Sequence, residues 1–231
     1  MKSATSWRSY RTAPHVAWKK AKSDSGRYDY QMIRKEYSAG AVKMSFWFVE
    51  FSKVVQLLAS GKSMDEVKGL ALHENLFAAP TTLRANQIFS TVSGRIKALD
   101  ESFIPLFMSS DLATQKLIAL IAAMAYDTLF FDFVYEVIRE KLMLGSNELM
   151  DSDIRVFFKD KQQQSEKVAG WTDATLTRLG GSYKTMLYEA GILDKAKGGR
   201  RILQPILDPE LTHWLDRNDM AVYNRALTGV N

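Results

Sequence analysis

The most apolar stretch of the chain runs from Leu117 to Ile138, and three acidic residues interrupt it. Asp127, Asp132 and Glu136 would each cost roughly 2.5 to 3.5 kcal/mol at the centre of a lipid bilayer. We therefore interpret the stretch as helices in a protein core rather than as a membrane span, and expect no membrane partner. A chain of 231 residues with 46% hydrophobic residues can bury such a core.

A hydrophobic period close to that of an α-helix recurs along most of the chain. One example is the series Trp47, Phe51, Val54, Val55 and Leu58. Polar residues that cap helix N-termini precede several of these series. The pattern predicts a helix from about Met44 and further helices that begin near Ser63, Thr81, Asp111, Asp151 or Ser152, Thr172 and Asp208.

The period changes between Ile192 and Ile206, where two short apolar pieces flank Gly198 and Gly199. This pattern predicts a β-hairpin. The predicted fold class is all-α: a compact multi-helix globular protein with helix-turn-helix elements, the C-terminal one winged by a short β-hairpin.

Four regions are expected from these patterns. Residues 1–28 form a basic, weakly ordered N-terminal arm, because they are polar and show a period of neither 3.6 nor 2. Residues 29–110 form an N-terminal helical subdomain with a candidate helix-turn-helix, residues 111–150 the central hydrophobic helices, and residues 151–231 a C-terminal winged helix-turn-helix-like subdomain.

Positive charge is concentrated locally, although the formal net charge is only +5. One cluster lies in the first 35 residues, and a second comprises Lys195, Lys197, Arg200 and Arg201. The chain has no cysteine, so neither a disulfide nor a thiolate metal site can form. A reducing cytoplasm is the expected location.

The segment from 151 to 206 has the order helix, helix, helix, hairpin that is typical of a winged helix-turn-helix. In that geometry the helix from Thr172 faces the major groove of duplex DNA, with its outward side chains as candidate contacts. These are Thr172, Thr175, Arg178 and Lys184. The cations of the hairpin tip, Lys195, Lys197, Arg200 and Arg201, would sit beside phosphates. Alternatively, the hairpin is a solvated turn and the helices bind a protein partner.

A second candidate helix-turn-helix lies between residues 44 and 99. Its reader helix would begin at Thr81 and present Thr82, Arg84, Asn86 and Gln87 near its N-terminus. A helical packing unit without any ligand gives the same pattern. The basic arm is open to two interpretations as well, a phosphate-tracking arm or a tail.

Residues suited to catalysis are sparse. His15, His73 and His213 are far apart and lack metal-site spacing. Asp132, Glu136 and Glu140 have the i, i+4, i+8 spacing of helical metal ligands, but exposed charge on an amphipathic helix explains them better. No nucleotide-loop or nucleophile-elbow motif is present, and the acids near Asp160 lack the strands that a nuclease site needs. We expect no enzyme activity, no cofactor and no metal.

Four stretches together resemble the BrxA family, a small component of the BREX bacteriophage-exclusion systems of bacteria. They are LHENLF at 72–77, LFFDFVYEVIREKL at 129–142, DIRVFFKDKQQQSEKVAGWTDATLTRL at 153–179 and LYEAGIL at 187–193. The resemblance covers most of the chain from about Tyr28. The chain differs from the family pattern at Asn86 and Gln87, where the family tends to carry basic residues.

The resemblance implies an all-α, non-enzymatic protein that binds duplex DNA in antiviral defence. The first functional hypothesis is accordingly a DNA-binding accessory component that acts mainly through phosphate contacts. The alternative is an adaptor that scaffolds the BREX methyltransferase or other subunits, with incidental DNA contact. Double-stranded DNA and other BREX subunits are the expected partners, and a monomer is favoured.

Overall fold

The computed structural model describes residues 18–22, 28–32, 35–194 and 200–230, the first two ranges as backbone only. Strands β1 (Trp18–Lys22) and β2 (Tyr28–Met32) form an antiparallel hairpin in which Trp18 pairs with Met32. This hairpin begins inside the arm that the sequence analysis expected to be irregular. Residues 1–17 of that arm lie outside the described residues, and the division of the chain into four regions stays a prediction.

The first helical group follows a short 3-10 helix at Gly40–Lys43. It consists of α1 (Phe48–Ala59), α2 (Met64–His73), α3 (Thr82–Ile96) and α4 (Phe103–Ser109). Helix α1 packs against α2, α3 and α4, so the helices of this group are arranged around α1.

The predicted start of α1 near Met44 is wrong. The helix begins at Phe48, and Trp47, which the period placed on the helix, precedes it in a left-handed conformation with φ of 52°. Trp47 and Phe46 are nevertheless buried. Residues 44–47 are not helical, and the carbonyls of Ser45 and Phe46 accept hydrogen bonds from a side chain of α3 that is described below.

The central helices are α5 (Leu112–Tyr126), α6 (Thr128–Phe133) and α7 (Arg139–Met143), with one π-helical segment at Val134–Ile138 between α6 and α7. Residues 117–125 of α5 are buried without interruption, which confirms that this apolar stretch belongs to the core. Within the described ranges, no single helix is long and apolar enough to cross a membrane. The pair Leu112–Tyr126 and Thr128–Met143 passes that test together but is bent by 114°.

The C-terminal group alternates helices with very short strands. In chain order it comprises β3 (Glu148–Leu149), α8 (Asp151–Gln164), α9 (Glu166–Ala169), α10 (Asp173–Glu189), β4 (Arg200–Arg201), α11 (Pro209–Arg217) and α12 (Ala221–Thr228). The predicted hairpin is confirmed by the bridge between Leu193 and Ile202. Strand β3, which was not predicted, pairs antiparallel with β4 on the other side. A two-residue strand carries too little periodicity to be recognised in sequence.

Helix caps explain why most helices begin where the sequence predicts. Ser63 forms a capping box with Glu66, and the side chains of Thr81, Asp111 and Thr172 each accept a backbone N–H of the first turn. The predicted cap of α8 is wrong. Met150 precedes the helix, and the Asp153 carboxylate accepts the Met150 N–H at 2.7 Å.

Because Gly180 has no side chain, α10 packs closely against α8. A Cβ atom at Gly180 would lie 2.7 Å from Cγ2 of Ile154, whereas one at neighbouring Gly181 would meet nothing within 4 Å. The helix continues through both glycines from Asp173 to Glu189. The spacing of α8 and α10 therefore depends on the missing side chain at Gly180.

We expect Gly180→Ala to destabilise the protein by about 1 to 3 kcal/mol, because Ile154 or the backbone must shift. Gly181→Ala is the matched control and should stabilise by up to about 1 kcal/mol through helix propensity. Urea unfolding of both variants checks this. Equal effects at the two positions would contradict the close packing of α8 and α10.

Candidate nucleic-acid interface

A buried arginine organises the part of the molecule where α3 and α10 meet. Arg95 on α3 is 3% exposed, and its guanidinium donates to the carbonyls of Phe46 at 2.5 Å and Ser45 at 3.0 Å. The same group lies 3.7 Å from the sulfur of Met186 on α10. Arg95 thereby ties the segment before α1 to both helices.

The charge of Arg95 is balanced by a carboxylate at the junction of α5 and α6. Burial lowers the pKa of Arg95 to about 10, and Asp127 opposes that change. The carboxyl of Asp127 lies below the surface, which raises its pKa to about 6, although its hydrogen bonds with the N–H groups of Leu129 and Phe130 oppose the rise. At neutral pH both groups are charged and attract each other.

A groove of about 580 Å³ lies above this anchor, between the first turns of α3 and the middle of α10. We call it the cationic groove, because Lys43, Arg84 and Arg178 are among its lining residues and none of the described residues lining it is acidic. The others are Val42, Met44, Ser45, Gln87, Gly181, Ser182 and Thr185. The two predicted reader helices thus contribute to one surface.

The side chain of Arg84 is held in place within the groove. Its guanidinium stacks over the ring of Trp47 at 5.0 Å and donates to Oε1 of Gln87 at 2.7 Å. Gln87 in turn donates to the carbonyl of Lys43 at 3.4 Å. A cation held in a fixed position loses less conformational entropy when it binds an anion.

Helix α10 presents one polar face to the groove. Arg178, Gly181, Ser182 and Thr185 follow the i, i+3, i+4, i+7 spacing of a single helix face. Its opposite, apolar face is buried, at Leu176, Leu179, Tyr183, Met186, Leu187 and Ala190.

The other predicted residues of α10 lie outside this groove. Thr172 is exposed at the N-terminus of the helix, where its hydroxyl accepts the N–H of Thr175 and lies 3.0 Å from the Thr175 hydroxyl. Lys184 lies about 120° around the helix from Arg178, because the two are six residues apart. Lys184 forms an ion pair with Asp151 at 2.7 Å.

On α3, Thr82 and Asn86 are exposed but are not among the groove's lining residues.

The hairpin cations divide into two groups. Lys195 and Lys197 lie outside the described residues. Arg201 pairs with Asp194 at 3.3 Å, and Arg200 lies 5.8 Å from the centre of the Tyr188 ring.

The sequence did not reveal Lys43 or Arg95 as important residues. Lys43 belongs to a short 3-10 helix without a recognisable period, and it reaches the groove only through tertiary packing. Arg95 lies on the apolar face of α3. Because arginine is rarely buried, its residue type gave no reason to predict that it lies in the core.

The expectation that Asp132, Glu136 and Glu140 are exposed surface charges is wrong for the first of them. Asp132 is 1% exposed and accepts a hydrogen bond from the Tyr37 hydroxyl at 2.6 Å. Lys161, also buried, pairs with Asp132 at 3.4 Å and with Glu136 at 2.6 Å. Within the described residues, no group of three or more acidic or histidine side chains is arranged to hold a metal.

The fold places this chain in the class of mostly α-helical proteins whose C-terminal group of helices includes a small antiparallel β-element. Residues 35–219 match the BrxA family. The BREX protein BrxA from Bacillus cereus (strain H3081.97) is 37% identical over 199 residues, which cover 86% of this chain and 100% of that protein. The chain belongs to the BrxA family, as the sequence motifs predicted.

A solved structure agrees with the fold. The crystal structure of an uncharacterized protein from Magnetospirillum magneticum is similar, with a TM-score of 0.72. The similarity covers 85% of this chain and 100% of that one, at 18% sequence identity. At that identity it supports the fold and says nothing about function.

We expect Arg95→Met to destabilise the protein by about 3 kcal/mol or more. It leaves two carbonyl groups without a donor and removes one of the two cations, the other being Lys35, whose charge acts on buried Asp127. The matched control is Arg217→Met, at an exposed position near the end of α11. Urea unfolding measures both, and a loss below 1 kcal/mol for Arg95→Met would contradict an anchoring role.

Proposed function

We propose that this protein is a non-enzymatic, duplex-DNA-binding accessory component of a BREX phage-defence system. The observation that carries the proposal is the cationic groove, where Arg84 and Gln87 of one candidate reader helix meet Arg178 of the other. Other BREX components are the expected protein partners, since the relative from Bacillus cereus carries the name of that system.

The charge of the groove supports phosphate binding. Three cations face one concave surface, and no described carboxylate forms an ion pair with any of them. A DNA backbone presents a dense row of negative charges, and each neutralised phosphate releases counterions. Cations without acidic partners need not give up an ion pair before they bind.

The proposed mode of binding places a DNA strand along the cationic groove. Arg178, Ser182 and Thr185 of α10 would follow the backbone, and Arg84 would contact a phosphate from the opposite wall. The proposed flanking contacts are Thr82, Asn86, Thr172 and Thr175, in the first two turns of α3 and α10 or at their caps, and the N–H groups of helix N-termini also attract anions. Because phosphate contacts carry no sequence information, the proposal implies little sequence preference.

The first test replaces single cations of the groove. Arg178→Ala is the most direct variant, since Arg178 is exposed and its removal leaves the core intact; Arg84→Ala tests the other wall. We expect each to raise the Kd for every duplex alike. Each should also reduce the magnitude of the negative slope of log K against log salt concentration by about 1. Gel shifts or fluorescence anisotropy across a salt series measure both quantities.

The control for these variants is Lys97→Ala. It removes the same charge from an exposed position thirteen residues beyond Arg84, just past the end of α3 and about 20 Å away along the helix axis. Its affinity and salt slope should match those of the wild type. If Arg84→Ala and Arg178→Ala behave like this control, the cationic groove takes no part in DNA binding.

The hairpin is tested separately. Replacing Lys195, Lys197, Arg200 and Arg201 together with Glu should weaken binding to all duplexes if the hairpin tip acts as a wing. The pairing of Arg201 with Asp194 predicts a smaller share for that residue, so Arg201→Ala alone should change affinity less than Arg178→Ala. Unchanged affinity in the fourfold variant would remove the hairpin from the mechanism.

The adaptor hypothesis makes the opposite prediction for DNA. It expects a complex with another BREX component that survives nuclease treatment, while gel shifts with duplex, single-stranded and RNA probes stay blank. Purified components and the full chain suffice for this comparison.

A further inference from the structure

A second groove, of about 1000 Å³, also borders the segment that precedes α1. We call it the apolar groove. Its walls are residues 45–50, the start of α5 at Leu112 and Lys116, the end of α10 at Tyr188 and Glu189, and the hairpin at Leu193, Asp194 and Leu203. Ser45 lines both grooves, so the two are neighbours.

Large apolar side chains remain accessible in this groove. Val49 is 61% exposed, Leu112 59% and Leu203 41%. They converge from three separate elements on one concave surface, where an apolar occupant would remove them from water together. Clustered exposed side chains of this kind mark interaction sites, whereas single ones are ordinary.

The rim of the apolar groove favours a positive charge. Partial burial and the nearby charge of Glu50 raise the pKa of Glu189, and Lys116 only partly offsets them. Glu189 is also the last residue of α10, where the backbone carbonyls give the helix end a partial negative charge. Asp194 adds no attraction of its own, because Arg201 pairs with it.

We propose that the apolar groove binds an amphipathic segment of a partner protein, with apolar residues on one face and a lysine or arginine beside them. Apolar side chains of the segment cover Val49, Leu112 and Leu203, and its cation sits between Glu50 and Glu189. Helix-in-groove recognition uses this combination of spaced apolar anchors and flanking charges.

The charges separate this site from the cationic groove. Glu50 and Glu189 outnumber Lys116 at the rim and disfavour a phosphate backbone, whereas the cationic groove disfavours a basic segment. The proposal therefore does not rest on DNA binding, and each groove is tested by variants that leave the other intact.

The experiment uses overlapping peptides of about 15 residues, enough for four helical turns. They cover the other proteins of the same BREX system and, on the same array, this chain itself. The full chain is applied, and each bound peptide is resynthesised with a fluorophore for anisotropy. We expect the bound peptides to have apolar residues at helical spacing and at least one lysine or arginine.

Leu112→Asp is the decisive variant and should raise the Kd about tenfold or more, the size typical of a central interface residue. Glu50→Gln with Glu189→Gln should raise it several-fold and reduce its dependence on salt. The matched control is Val156→Asp, which introduces the same charge at an equally exposed position, 58% accessible, on α8. Circular dichroism verifies that all variants are folded.

Three results would overturn the proposal: no peptide from another protein binds, acidic peptides bind as well as basic ones, or Leu112→Asp and Val156→Asp bind alike. The first of these includes binding by peptides of this chain alone, which would make a second copy or its own segment the occupant. Affinity for duplex DNA is measured separately. Arg178→Ala should weaken DNA binding by the same factor with and without Leu112→Asp.

Discussion

The buried guanidinium of Arg95 connects elements that are far apart in the sequence. An arginine buried to 3% exposure must replace its lost hydration. It does so with two carbonyls of the segment before α1, the sulfur of Met186 and the charge of Asp127. These contacts join α3, α10 and the α5–α6 junction around one group. Gly94 assists this packing, because a Cβ there would lie 2.5 Å from the Tyr126 ring.

Both grooves follow from that anchor. The carbonyls of Ser45 and Phe46 accept hydrogen bonds from Arg95, and the segment that carries them contributes lining residues to both grooves. Trp47 contributes to both grooves, since its ring stacks against the Arg84 guanidinium and Trp47 also lines the apolar groove. In the proposed function the cationic groove binds DNA and the apolar groove binds a protein partner, and Ser45 lines both.

A second buried charge network fixes the position of α8. Lys161 reaches from α8 to Asp132 and Glu136 on either side of the start of the π-helical segment, and the Tyr37 hydroxyl also donates to Asp132. Buried pairs of this kind are costly to break, because removing one partner leaves the other charged and unsolvated. Together with Gly180 against Ile154, the network fixes α8 relative to α10. The polar face of α10 is thereby held toward the cationic groove.

Local rules were enough to predict most helices, their caps at Ser63, Thr81, Asp111 and Thr172, and the hairpin near Gly198, because these depend on neighbours a few residues away. The motifs at 72–77, 129–142 and 153–179 also identified the family. Tertiary structure alone decided that Asp132 and Arg95 are buried and that Lys184 pairs with Asp151. It likewise brought Lys43, Arg84 and Arg178 together, since residues 135 positions apart meet only when non-local packing places their helices side by side. Periodicity gives the face of each helix, but the neighbour of that face depends on contacts that no single segment encodes.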